Sequence, residues 1–275
     1  MKAIKRISAL ILRVAEDDVM VYSAQASFYI LIASIPFIML LLSLIRFWLP
    51  LTEQDVIAAA QAFLPSGLWK YVSDFVRELF TKSTIPIVSI TAITTLWTAS
   101  RGFAAAERGI RKVYRSPEKS IFSSIGFSML YTAAFALVLL LTLFMLVFGK
   151  SIYLFLSGHY RLFALIFQKT HGLRPLLYFI AVCLFFALVF KTFAGWKTPY
   201  KMHIPGAVFA TAGWMIFSHL YSVYIENFAN YSYIYGSLTA IVLMMLWLYS
   251  CMIILLIGAE INVAVDDKRK GMENK

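Results

Sequence analysis

Charge is scarce in this chain: Asp, Glu, Lys and Arg make up 14% of 275 residues, against about 25% in a typical soluble domain. With 61% of positions apolar or aromatic, there are too few polar groups to cover a surface in water, and far too much apolar area for disorder. Cysteine is nearly absent. Cys183 and Cys251 both fall in apolar runs at different expected depths, which argues against a disulfide and for packing roles. The four histidines, His159, His171, His203 and His219, lack the paired spacing of a metal site. There is no HExxH helix, Walker loop or GxSxG elbow. An enzyme is therefore not expected, and no catalytic residue, metal or cofactor is assigned.

What is present is a set of long apolar runs. A spanning helix needs about 20 of them in a row. Such runs occur at 24–48, 84–100, 122–148, 175–195, 204–225 and 234–257. The pattern predicts an all-α, polytopic membrane protein with six transmembrane helices and interfacial amphipathic helices. Alternating strands of a membrane barrel are not seen. No cleavable signal peptide is read at the start, so the first span is expected to be retained.

The net charge of +11 does not call for nucleic acid. With the N-terminus inside, seventeen of the 25 Lys and Arg residues fall in inner segments. That asymmetry orients both termini to the cytoplasm and suits the anionic headgroups of membrane lipids. The expected organisation is a cytoplasmic amphipathic helix over 1–18, a six-span domain over 19–265 and a basic cytoplasmic tail over 266–275. In the first segment Ile4, Ile7, Ile11 and Val14 share a face. Residues 52–82 read as an outer helical hairpin broken at Pro65, either a structural cap or a lid over an outer opening. Residues 150–174 are basic and aromatic-rich and read as interfacial or re-entrant. The two halves show no convincing internal repeat.

Ionisable groups at membrane depth are costly and point to function. Arg101 follows the second span and Glu260 the sixth, with Asn262 beside it and Gln25 opening the first span. These four are expected to form an inner polar cluster or gate, with Arg101 and Glu260 paired. A structural ion pair or separate snorkelling residues are the plainer accounts. Thr91, Thr94, Thr95 and Thr98 make a hydroxyl stripe toward Arg101. Ser27, Ser34 and Pro36 lie on the first span, where Ser23 adds a further hydroxyl. These side chains could line a polar path, or simply let helices pack closely. His219, with Glu226 two turns on, reads as a proton relay or as a packing histidine.

Three stretches resemble the YihY/BrkB family of bacterial inner-membrane proteins: AQASFYILIASIPFIMLLLSL at 24–44, LWTASRGFAAAERGIRKVY at 96–114, and YGSLTAIVLMMLWLYSCMIILLIGAEINVA at 235–264. The resemblance covers nearly the whole chain. It implies a six-span helical protein of the bacterial plasma membrane and no settled activity, since members have been labelled ribonuclease BN, virulence factor or putative transporter. The nuclease label finds no support in these residues. Arg101 and Glu260 lie within the matching motifs, which implies a shared role. The leading expectation is transport of a lipid or other amphipathic solute. The alternative is a non-transporting envelope scaffold or regulatory protein, and a homo-oligomer is compatible with either. An enzyme acting on a lipid headgroup would have only Glu260 and His219 to work with.

Overall fold

A computed structural model describes residues 2–48, 85–117, 174–195, 198–228 and 238–273, with short stretches inside 52–80 and 126–130. The expected third span at 122–148, the 150–174 segment and most of the 52–82 hairpin lie outside the described residues. Within that hairpin, Arg77 Nε meets Glu53 Oε1 at 3.0 Å. The described residues are helical, with no strand among them.

Among the described residues the long helices are α1 (Lys2–Glu16), α2 (Val19–Trp48), α3 (Ile85–Val113), α4 (Arg174–Ala194), α5 (Ile204–Phe228) and α6 (Leu238–Glu273). Two stretches among the described residues, Ile204–Ile225 and Ile241–Asp267, are long and apolar enough to cross a membrane. Two shorter apolar stretches, Val19–Ser34 and Tyr178–Ala194, fall below that length. Large apolar side chains face outward on α4, α5 and α6, among them Leu184, Leu188, Ile216, Leu220, Ile241 and Leu246. Such a surface is suited to hydrocarbon rather than water.

The helices meet as antiparallel pairs with small residues at the seams. A Cβ on Gly102 would lie 2.9 Å from Ile30 Cγ1, and one on Gly109 would lie 2.9 Å from Tyr22 Cβ. These contacts set the register of α2 on α3. On α6, Tyr221 of α5 donates to Leu243 O at 2.5 Å, and Trp247 Nε1 donates to Ser218 Oγ at 3.2 Å. A Cβ on Gly206 would stand only 1.9 Å from the Gly258 carbonyl oxygen. The α5 and α6 backbones therefore touch at that level. α2 continues through Pro36 without a break.

Three tight turns gather the helix ends at one end of the bundle. Asp18, with φ of 51°, turns α1 into α2, and Arg115, with φ of 50°, ends α3. Gly195, with φ of 115°, ends α4, and its N–H donates to Lys191 O at 3.1 Å. Left-handed backbone favours glycine at this last position. Ser116 Oγ donates to Ala194 O at 2.6 Å, joining the ends of α3 and α4. Arg13 reaches Asp267 at 2.9 Å, joining α1 to α6. The core sits toward the same end, around Ile110, Phe190, Ala207, Leu256 and Ala259, each 1% exposed or less.

Candidate functional site

The gathered end contains a continuous chain of hydrogen bonds, buried between Gly206 and Asn262 and part-buried elsewhere. α5 begins Ile204-Pro205-Gly206, and its first-turn N–H groups have no partner within the helix. Pro205 has no N–H to satisfy. The Gly206 N–H donates to Asn262 Oδ1 of α6 at 2.6 Å, a helix cap supplied by another helix. Asn262 Nδ2 donates to Tyr114 Oη at 2.9 Å. Tyr114 Oη lies 2.9 Å from His203 Nδ1, and His203 Nε2 lies 2.8 Å from Thr198 Oγ1. Thr198 itself donates to Gly195 O at 2.9 Å.

Proton order follows from the ends of this chain. Asn262 already donates to Tyr114, so the Tyr114 hydroxyl hydrogen points to His203 Nδ1. Thr198 gives its hydrogen to Gly195 O, so it accepts from His203 Nε2. His203 is thus neutral and carries its hydrogen on Nε2. Burial, helped by the Lys191 ammonium, pushes His203 down to about 4, against a pull upward from Asp266. Burial likewise pushes the Tyr114 hydroxyl above its ordinary range, which keeps it a donor.

This latch makes stability depend on pH. An unfolded histidine titrates near 6.5, so between that value and about 4 the unfolded chain binds the extra proton and the folded one does not. The contribution of His203 is fully present above the unfolded value and is lost as pH falls toward the folded one. Its full size is about 3 kcal/mol. The thermal midpoint in detergent should therefore fall on acidification across that window, and His203→Gln should flatten the slope.

The four residues expected in one inner cluster occupy separate places. Asn262 is the hub of the latch. Gln25 Oε1 accepts from Arg108 Nη2 at 3.3 Å on the exposed flank of α2 and α3. Arg101 lies over the Trp97 ring, 5.3 Å from its centroid. The expected Arg101–Glu260 pair is not formed, and helix register gives the reason. The Gly109 position touches Leu256 at 3.0 Å. From that level Arg101 lies eight residues toward one end and Glu260 four toward the other, about 18 Å apart along the axes.

Glu260 is 1% exposed, and its Oε1 has no hydrogen-bond partner. The Asp17 carboxyl lies within hydrogen-bonding reach, and Arg13 and Arg115 are the cations that act on it. Ion pairs also form at this end, between Lys112 and Asp18 and between Arg111 and Glu107 at 3.0 Å.

The hydroxyl stripe is divided. Thr95 and Thr98 are buried, Thr94 faces outward, and the Thr91 side chain lies outside the described residues. Ser27 donates to Ala24 O at 3.0 Å and Ser34 to Leu31 O at 2.7 Å, so both direct their hydrogens to their own helix. Pro36 is half-buried. His219 faces outward, and the side chain of Glu226 lies outside the described residues.

Tyr114, Thr198 and His203 were missed by the motif reading. The signal available was a histidine immediately before Ile-Pro-Gly, where an apolar helix starts. Among the described residues no group of three His, Cys, Asp or Glu side chains could hold a metal ion.

A family profile described as Virulence factor BrkB matches residues 10–275. The chain is 30% identical over 253 residues to "Putative ribonuclease-like protein YfkH" of Bacillus subtilis, covering 90% of each chain. It is 24% identical over 275 residues to a UPF0761 membrane protein of Alteromonas mediterranea, covering 96% of this chain and 87% of that one. A UPF0761 membrane protein of Vibrio cholerae is 31% identical over 113 residues, covering 41% of this chain and 35% of that protein. No solved structure matches. With apolar helices, outward apolar faces and a match over nearly its full length, the chain belongs to the virulence factor BrkB family of membrane proteins.

Proposed function

We propose that this is a six-span protein of the bacterial plasma membrane that moves a lipid or other amphipathic solute, with the latch end and both termini at the cytoplasmic face. The sequence supports the count. α3 and α4 both finish at the latch, and the apolar run at 122–148 in the sequence is the remaining candidate for a sixth span. The Lys and Arg excess supports the orientation, with anionic lipid headgroups as partners of the basic inner face.

One observation carries the transport reading. A carboxyl 1% exposed, with an oxygen that has no hydrogen-bond partner, sits in the longest apolar stretch among the described residues. Such a group is kept at a cost and is functional by default. The test is movement of fluorescent phospholipid between leaflets of proteoliposomes holding the full chain. Wild-type protein should accelerate it over protein-free vesicles, and Glu260→Gln should slow it by about tenfold. Wild-type vesicles no faster than empty ones would sink the reading.

A second reading, a non-transporting envelope scaffold, is favoured by the close backbone contact at Gly206 and Gly258. That contact leaves no passage between α5 and α6 at the latch.

A further inference from the structure

Arg13, Arg111 and Lys112 have each met a carboxylate at the latch end. Glu260 has not. It is 1% exposed, its Oε1 has no hydrogen-bond partner, and the group within reach is a second carboxyl, Asp17. Arg13 lies in its field, but Arg13 Nη2 is bonded to Asp267 at 2.9 Å. Arg115 acts from beyond the end of α3. Asp18 and Glu107 are held by Lys112 and Arg111, and Asp266 acts on His203 and Tyr114.

An ionised carboxylate buried without a donor is costly, and two side by side repel. A single hydrogen removes both penalties, because a protonated carboxyl becomes the donor its neighbour lacks. A metal ion fits less well, since no third ligating side chain joins the pair among the described residues.

We propose that Asp17 and Glu260 form a proton-binding site, sharing one proton in a hydrogen bond that ties the turn after α1 to α6. Release gives two carboxylates and one proton to the adjacent aqueous phase. The repulsion that follows loosens α1 from α6, with Arg13–Asp267 as the remaining tie. The site deepens the transport reading, on which its use as a coupling site rests.

The test is infrared difference spectroscopy of the full chain in lipid nanodiscs near neutral pH. A protonated-carboxyl stretch, shifted by deuterium exchange, should be present in the wild type. It should vanish in both Glu260→Gln and Asp17→Asn. In each variant the new amide donates to the remaining carboxylate, so the fold is kept while the proton is lost. Asp17 is half-buried at a turn, so Asp17→Asn leaves the core untouched. A band that survives in either variant, or is absent from the wild type, overturns the site. Sodium in place of potassium should leave the band unchanged, and its loss in sodium would assign the site to a metal cation instead. If the band behaves as expected while proteoliposomes move no lipid, the proton site stands and the transport reading falls. If lipid moves while the band is absent, the reverse holds.

Discussion

Gly206→Ala should cost the folded protein about 3 kcal/mol or more, at the severe end of overpacking. The new Cβ would stand 1.9 Å from the Gly258 carbonyl oxygen and 2.5 Å from Asn262 Nδ2. The first contact is backbone on backbone, so no rotamer relieves it, and α5 must move off α6. That movement also pulls the Gly206 N–H from Asn262 and opens the latch. The neighbouring glycines provide a graded control. A Cβ on Gly258 meets the Gly206 carbonyl at 2.8 Å, and one on Gly213 meets only the Ile254 side chain at 2.9 Å. Thermal midpoints in mild detergent should therefore fall most for Gly206→Ala, less for Gly258→Ala and least for Gly213→Ala. An unchanged midpoint for Gly206→Ala would mean that the two helices do not touch there.

Asn262→Leu should be the second large loss, about 2–5 kcal/mol. Leucine keeps the branched outline of asparagine but is larger, so the loss combines unmade hydrogen bonds with some overpacking and leaves no cavity. The substitution leaves the buried Gly206 N–H without an acceptor and removes the donor to Tyr114. Unmade bonds of buried groups cost more than made bonds gain. Tyr114→Phe removes the hydroxyl between Asn262 and His203. The double variant should cost clearly less than the sum of the two singles, since they interrupt one network. Simple additivity of the melting free energies would argue that the bonds act separately.

Much of the helical content was legible in the sequence, and much of the site was not. Apolar runs marked α2, α4, α5 and α6 because a helix in hydrocarbon must be apolar over its length. Asn262 stood out for the converse reason, as a polar side chain in such a run. Its partners did not stand out, because Tyr114 lies 148 positions away and His203 lies in a connecting turn. Opposite charges at membrane depth suggested pairing Arg101 with Glu260. Register decides otherwise, and register is set by Gly109, Gly206 and Gly258, whose roles appear only once two helices are placed side by side. His219 drew attention for lying inside a span, whereas His203, at the helix start, is the histidine that is held on both nitrogens.

The latch also imposes an order in time on the chain as it is made. α2 and α3 leave the ribosome within the first 117 residues and can close their glycine seam on each other. Tyr114 then waits for Asn262, 148 positions later, and Arg13 waits for Asp267, 254 positions later. Segments made first fold first, so the latch closes only once α6 has been made. A chain cut short of Asn262 carries a finished α2–α3 pair and an α5 whose opening turn is still uncapped.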